Sequence, residues 1–199
     1  MLLRTPTTWL VPVAARRVGA GGALGAWRWL PGPAREEPPA FERITFRRGS
    51  VGAARFGPGG QVVYSAAWDG APLVVQVTDP VSRDARSLAI ENALVAAVSA
   101  EGEVAFLHGG VLARAPLSGG PPKEVQKGVL AADWARDGGE LALVRSSPRG
   151  SVVEWPAGRE IASVARASRI RISPDGRHVA IAEHPFPDDD RGLVAVLDR

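Results

Sequence analysis

Residues 169–184, "RIRISPDGRHVAIAEH", read as strand, tight turn, strand. Asp175 and Gly176 supply a corner that tolerates positive φ, and Pro174 presets φ just before it. The flanking runs are rich in β-branched and apolar residues and too short for helices. The same layout recurs in "ARFGPGGQVVYSA" (54–66), with Gly60 closing the turn, and in "AAVSAEGEVAFL" (96–107), with Gly102 at the corner. It recurs again in "ADWARDGGELALV" (132–144), around Asp137 and Gly138. The corner glycines Gly60, Gly102, Gly138 and Gly176 are spaced 42, 36 and 38 residues apart.

Each hairpin is followed by a third strand: "PLVVQVTD" (72–79), "GVLARAPL" (110–117), "SVVEWP" (151–156) and "GLVAVLD" (192–198). Three units add a more polar fourth strand, "ARSLAI" (85–90), "KEVQK" (123–127) and "REIASV" (159–164). Charge on an outer strand discourages pairing with foreign chains. Nearly continuous apolar runs in the inner strands indicate burial on both faces. Four strands per unit of roughly 40 residues is the pattern of a β-propeller blade. The expected fold is therefore all-β: four blades over residues 41–199, forming an incomplete, open propeller, with no long helix. The fourth unit has only three strands. Either "FERITFR" (41–47) supplies the missing one and latches a small ring, or the blades form an open arc; we expect the arc.

Composition agrees. Gly 23 and Pro 17 lie scattered between short apolar runs, as many tight turns require. There is no cysteine, which removes disulfides, thiolate metal sites and thiol nucleophiles together. The formal charge of +3 belongs to the N-terminal arm: residues 1–48 hold eight Arg against three Glu, and the rest of the chain is slightly acidic. Such a body lacks the basic stripe that phosphate backbones need, so nucleic acid is not expected as a partner.

Residues 1–40 differ from everything that follows. Apolar stretches at 9–15 and 18–27 are separated by Arg16 and Arg17, and "PGPAREEPPA" (31–40) is a Pro-rich linker. Three readings stand: a disordered basic leader, a signal peptide without a clear cleavage site, or a degenerate membrane anchor over residues 9–30. An acting anchor would place the chain at a membrane or outside the cytoplasm; otherwise it is cytoplasmic.

With the turns in view, the chain resembles the TolB-type, WD40-like propeller repeats known as PD40. "SPDGRHVAIAEH" carries the Ser-Pro-Asp-Gly core of that family in full, and the other three hairpins are eroded copies. "FERITFRRGSVGAARFGPGG" (41–60) resembles the family's first strand, connector and hairpin, and "ARAPLSGGPPKEV" (113–125) its passage from third to fourth strand. The order of parts also resembles the propeller region of bacterial membrane-associated serine/threonine kinases. Those carry a kinase domain, an apolar span and a Pro-rich linker ahead of the blades. No Gly-rich ATP loop, HRD-type loop or DFG occurs here, so the resemblance implies no kinase activity.

Motifs for chemistry are sparse. His108, His178 and His184 form neither HExxH nor a pair at metal-ligand spacing, and there is no GxSxG elbow. Asp188, Asp189 and Asp190 are the best ion candidate, for calcium, but three consecutive carboxylates on a turn read first as a polar loop. Trp68, Trp134 and Trp155 are expected in the core or between blades. The sequence thus implies no catalytic residue, cofactor or resident metal. It points to a recognition or sensory module for a protein or small ligand. The alternatives are the non-catalytic propeller of a prolyl-oligopeptidase-like hydrolase and a truncated product without a role of its own.

Overall fold

The corner glycines take the conformation their turns demand. Gly60, Gly102, Gly138 and Gly176 have φ of +81°, +83°, +73° and +67°, the left-handed region where a Cβ would be strained. Each turn reverses a chain whose flanking runs then pair antiparallel. In the computed structural model, which describes residues 39–41, 43–186 and 191–199, four sheets result.

Blade 1 is β1 (Gly49–Phe56), β2 (Val62–Trp68), β3 (Val74–Thr78) and β4 (Ala85–Glu91). Blade 2 is β5 (Leu94–Val98), β6 (Glu103–His108), β7 (Val111–Pro116) and β8 (Lys123–Lys127). Blade 3 is β9 (Val129–Trp134), β10 (Leu141–Ser147), β11 (Gly150–Glu154) and β12 (Glu160–Val164). Blade 4 is β13 (Ala167–Ile172), β14 (His178–Glu183) and β15 (Leu193–Asp198). Within every sheet consecutive strands are neighbours, so each blade is an up-and-down meander. The helical content among the described residues is one three-residue 3-10 turn, Pro58–Gly60.

One irregularity repeats in all four blades. The pairing of the first strand with the second shifts register at Val51/Ala53, Val95/Ala97, Val144/Arg145 and Ala167/Arg169. A bulge bends and twists its strand, and here it curves each first strand where it borders the next blade. These first strands form the inner row, with β1 packed on β5, β5 on β9 and β9 on β13.

Three apolar clusters lie between the blades. Val63, Val75 and Val77 of blade 1 meet Val95, Val104 and Phe106 of blade 2. Leu112 of blade 2 meets Trp134 and Leu143 of blade 3. Trp155 and Val153 of blade 3 meet Ile170, Val179 and Ile181 of blade 4. Polar ties cross the same seams: Ser65 Oγ accepts the Val95 N–H at 2.9 Å, and Ser151 Oγ accepts the Ala167 N–H at 3.0 Å. Trp134 and Trp155 are inter-blade residues, as expected. Trp68 is not: it packs with Tyr64 and Ala66 in a separate cluster on β2.

Closure is decided at blade 4. Residues 43–47 belong to no strand, and blade 4 keeps three strands. Val194 and Val196, on the face of blade 4 turned away from blade 3, are 78% and 62% exposed. A blade packed there would bury them. The blades form an open arc.

Candidate binding site

The four hairpin corners are neighbours in a row. A Cβ on Gly102 would touch Pro58, and one on Gly138 would collide with the Glu101 carboxylate. Between the last two corners a cleft of about 420 Å³ is lined by Asp137, Pro174, Asp175 and Gly176 together with Trp155 and Arg199. The turn residues singled out in the sequence therefore converge, but as builders of the chain reversals. Asp137 Oδ1 accepts the Gly139 N–H at 3.1 Å, and Asp175 Oδ1 accepts the Arg177 N–H at 3.1 Å. The Ser173 hydroxyl, contributing most, and then the Arg177 N–H hold the Asp175 carboxyl below its usual range. Arg199 lies over the Trp155 ring at 5.0 Å and pairs with Glu140 at 2.7 Å. Arg199 is therefore already satisfied, while Arg136 also lines the cleft.

The second cavity, of about 250 Å³, is different. All four inner strands line it: Gly52, Ala53 and Arg55 of β1, Leu94–Ala96 of β5, Leu130–Ala132 of β9, and Arg169–Arg171 of β13, with Ser168 beside them. It is the mouth of the central axis. Side chains alternate across a strand, so Arg169 and Arg171 share one face of β13 while Ile170 between them is fully buried against blade 3. Arg55 reaches across the first seam, donating from Nε to the Ala96 carbonyl at 2.8 Å and from Nη1 to its neighbour Ala54 at 2.7 Å. Arg171 donates to the Ile170 carbonyl at 2.6 Å.

A single carboxylate answers two of these three guanidiniums, Arg55 and Arg171. Asp133 on β9 accepts the Ile172 N–H of blade 4 at 2.9 Å, and its other oxygen stands 3.9 Å from Arg171. Burial pushes the Asp133 carboxyl upward, against the Ile172 N–H and Arg171, which pull it down. Burial likewise weighs against the charge on Arg55, and Arg171 and Arg169 add their repulsion. The Arg169 side chain is exposed and makes no hydrogen bond or ion pair among the described residues. The mouth thus carries excess positive charge, rimmed by Leu94 and Leu130, which are 42% and 44% exposed.

The histidines hold strands together. His178 Nε2 stands 3.3 Å from Asp198, and His108 Nδ1 lies 3.1 Å from the Glu91 carbonyl. His184 is buried, with Nε2 at 2.8 Å from Ser168 Oγ and Nδ1 at 3.3 Å from the Arg191 carbonyl. That pair ties β14 to β13 beside the bulge, and a backbone carbonyl rather than a carboxylate stands behind the imidazole. Among the described residues no three His, Asp or Glu side chains gather to hold a metal, and no helix is long and apolar enough to cross a membrane. Asp188, Asp189, Asp190 and the anchor-like residues 9–30 lie outside the described residues.

The sequence-based reading did not single out Arg55, Asp133, Arg169 or Arg171 as a site. The available signal was local: "RIRIS" places two arginines on an inner strand that its isoleucines mark as buried.

No family model matches the sequence, and no curated protein does. Solved structures do. TolB from Acinetobacter baumannii superposes with a TM-score of 0.63 at 14% identity, over 78% of this chain and 45% of that one. The fold is a TolB-like β-propeller. The chain spans less than half the length of that TolB. The β-propeller domain of the Trilobed protease from Pyrococcus furiosus, described as having an open velcro topology, gives a TM-score of 0.49 at 15% identity, over 76% of this chain and 55% of that domain. Identities this low concern the fold alone.

Proposed function

We propose that residues 43–199 act as a non-catalytic recognition module that receives a protein partner at the axial mouth. One observation carries this reading: strands from all four blades meet at a single cavity whose rim combines exposed leucines with partly unpaired guanidiniums. Cavities with an apolar rim and a few convergent polar groups are the default binding sites of a scaffold. The fold itself assigns no activity. A cavity of about 250 Å³ takes one or two side chains of a partner. It is smaller than the roughly 300–1,000 Å³ that drug-sized ligands occupy.

Site-specific photo-cross-linkers test the role. Placed at Leu130 in cells, the probe should capture a discrete protein partner, while one at Val81, exposed on the β3–β4 connection, should not. Equal capture at both positions, or none at Leu130, would reject the role. The likeness of "FERITFRRG" and its Pro-rich linker to membrane-associated serine/threonine kinases supports a sensory role beside such a kinase. A kinase gene next to this one would strengthen that setting, and a hydrolase gene would favour the propeller portion of a prolyl-oligopeptidase-like enzyme.

A further inference from the structure

Arg55, Arg169 and Arg171 line one small cavity, and Asp133 is the carboxylate that Arg55 and Arg171 share. Arg55 and Arg171 are steered by carbonyls of the inner strands, which fixes their guanidiniums at the rim. Arg169 is left without a partner. Elsewhere Arg145 pairs with Glu154, Arg114 with Glu103, Arg47 with Asp69 and Arg199 with Glu140. A concentrated positive mouth on a slightly acidic body focuses the field at one point.

We infer that the mouth selects an acidic peptide segment, with Arg169 as the first contact for its carboxylate and Arg55 and Arg171 completing the pocket. This rests on the recognition role proposed above. Guanidiniums bind carboxylates through paired N–H donors, the geometry that favours Arg over Lys at such sites. Leu94 and Leu130 on the rim call for apolar neighbours to the acid. An extended peptide alternates its side chains, so acidic residues interleaved with leucines would present both. Nucleic acid fits less well, because phosphate backbones need charge spread along a track.

The test is fluorescence anisotropy on the full chain with a fluorescein-labelled octapeptide of alternating Glu and Leu. Its Gln–Leu counterpart, free citrate and a single-stranded oligonucleotide serve as competitors. The Glu–Leu peptide should bind, and the Gln–Leu peptide should be weaker by about tenfold or more, the loss expected when charged hydrogen bonds become neutral. Arg169→Glu should weaken binding by at least about tenfold, with Arg169→Lys intermediate. Neither variant should lower the melting temperature, because Arg169 supports no other group and its charge repels Arg55. Val81→Ala, on the exposed β3–β4 connection away from the cavity, should leave binding unchanged. Equal affinity for the Gln–Leu peptide, or no effect of Arg169→Glu, would overturn the acidic selection while leaving cross-linking at Leu130 intact. Citrate competing as tightly as the peptide would overturn the peptide assignment, as would preference for the oligonucleotide. Loss of cross-linking from Leu130 would remove the recognition role itself.

Discussion

Two surfaces of the arc are open to a partner, and they differ in kind. The axial mouth offers fixed guanidiniums with two leucines on the rim. The free face of blade 4 offers mainly small apolar side chains, aligned across its strands: Arg171, Ala180 and Val196 form one row, and Arg169, Ala182 and Val194 the next. The two arginines border the mouth at its inner edge, and His178 with Asp198 closes one end of the face. An apolar face attracts any apolar surface, because the hydrophobic effect has no direction. Positioned charges discriminate, since a mismatched partner leaves them desolvated and unpaired. Blade 4 carries both surfaces, so substitutions on it separate packing from recognition.

The largest effect is expected where blade 4 is covered. Trp155 is fully buried in the cluster with Ile170, Val179 and Ile181. Trp155→Ala should cost about 3–5 kcal/mol by transfer loss and cavity formation, read as a lower urea midpoint. A cost near zero would mean that blade 4 does not dock on blade 3 as described.

Next comes backbone at the same seam. Gly150 has φ of +135°, and a Cβ there would meet the carbonyls of Val164 and Ala165. Gly150→Ala should cost about 1–3 kcal/mol from strain. Gly176, with positive φ but open space around it, should cost about 1 kcal/mol when changed to Ala. Comparable melting curves for the two variants would contradict the close approach at Gly150.

Glu154, which is buried, and Asp133, which is partly buried, should titrate with opposite signs. Burial alone would raise Glu154, but Arg145 at 2.8 Å, the Gly158 N–H at 2.8 Å and Gln126 at 3.1 Å outweigh it, and its folded pKa lies below the usual value. Its contribution to stability is present above the unfolded-state pKa and disappears as pH falls through the folded value. Asp133 at the mouth is raised instead. Its ionised form burdens the fold above the folded pKa, and stability is gained as pH falls through it. Unfolding followed against pH should show Glu154→Gln flattening the acid limb and Asp133→Asn removing the opposing slope. The same sign for both variants would refute the assignment of their surroundings.

The smallest effect belongs to the open face. Val196→Lys should change stability by less than about 0.5 kcal/mol, because Val196 is 62% exposed. It should also reduce self-association at high concentration, measured by sedimentation velocity. Strong destabilisation would mean that something covers this face.

These contrasts explain what the sequence could convey. Turn chemistry is local, so the positive-φ glycines were legible, and with them the hairpins, blade count and strand order. Third and fourth strands fall within one or two residues of their expected bounds because apolar runs and turn residues delimit them from both sides. The mouth was not legible in the same way. Arg55 and Arg169 are more than a hundred residues apart, and only curvature of the inner row brings them to one cavity. Trp68 is buried as its place after an apolar strand announces, but that place does not say which face it takes, and it packs on β2 with Tyr64 and Ala66.

The central claim is that partners are recognised by charge at the mouth rather than by packing on the free face. Methyl-labelled protein titrated with the Glu–Leu octapeptide, followed by NMR, tests it most directly. The account predicts shifts at the Leu94 and Leu130 methyls with Val194 and Val196 unmoved. Shifts confined to Val194 and Val196 would contradict it.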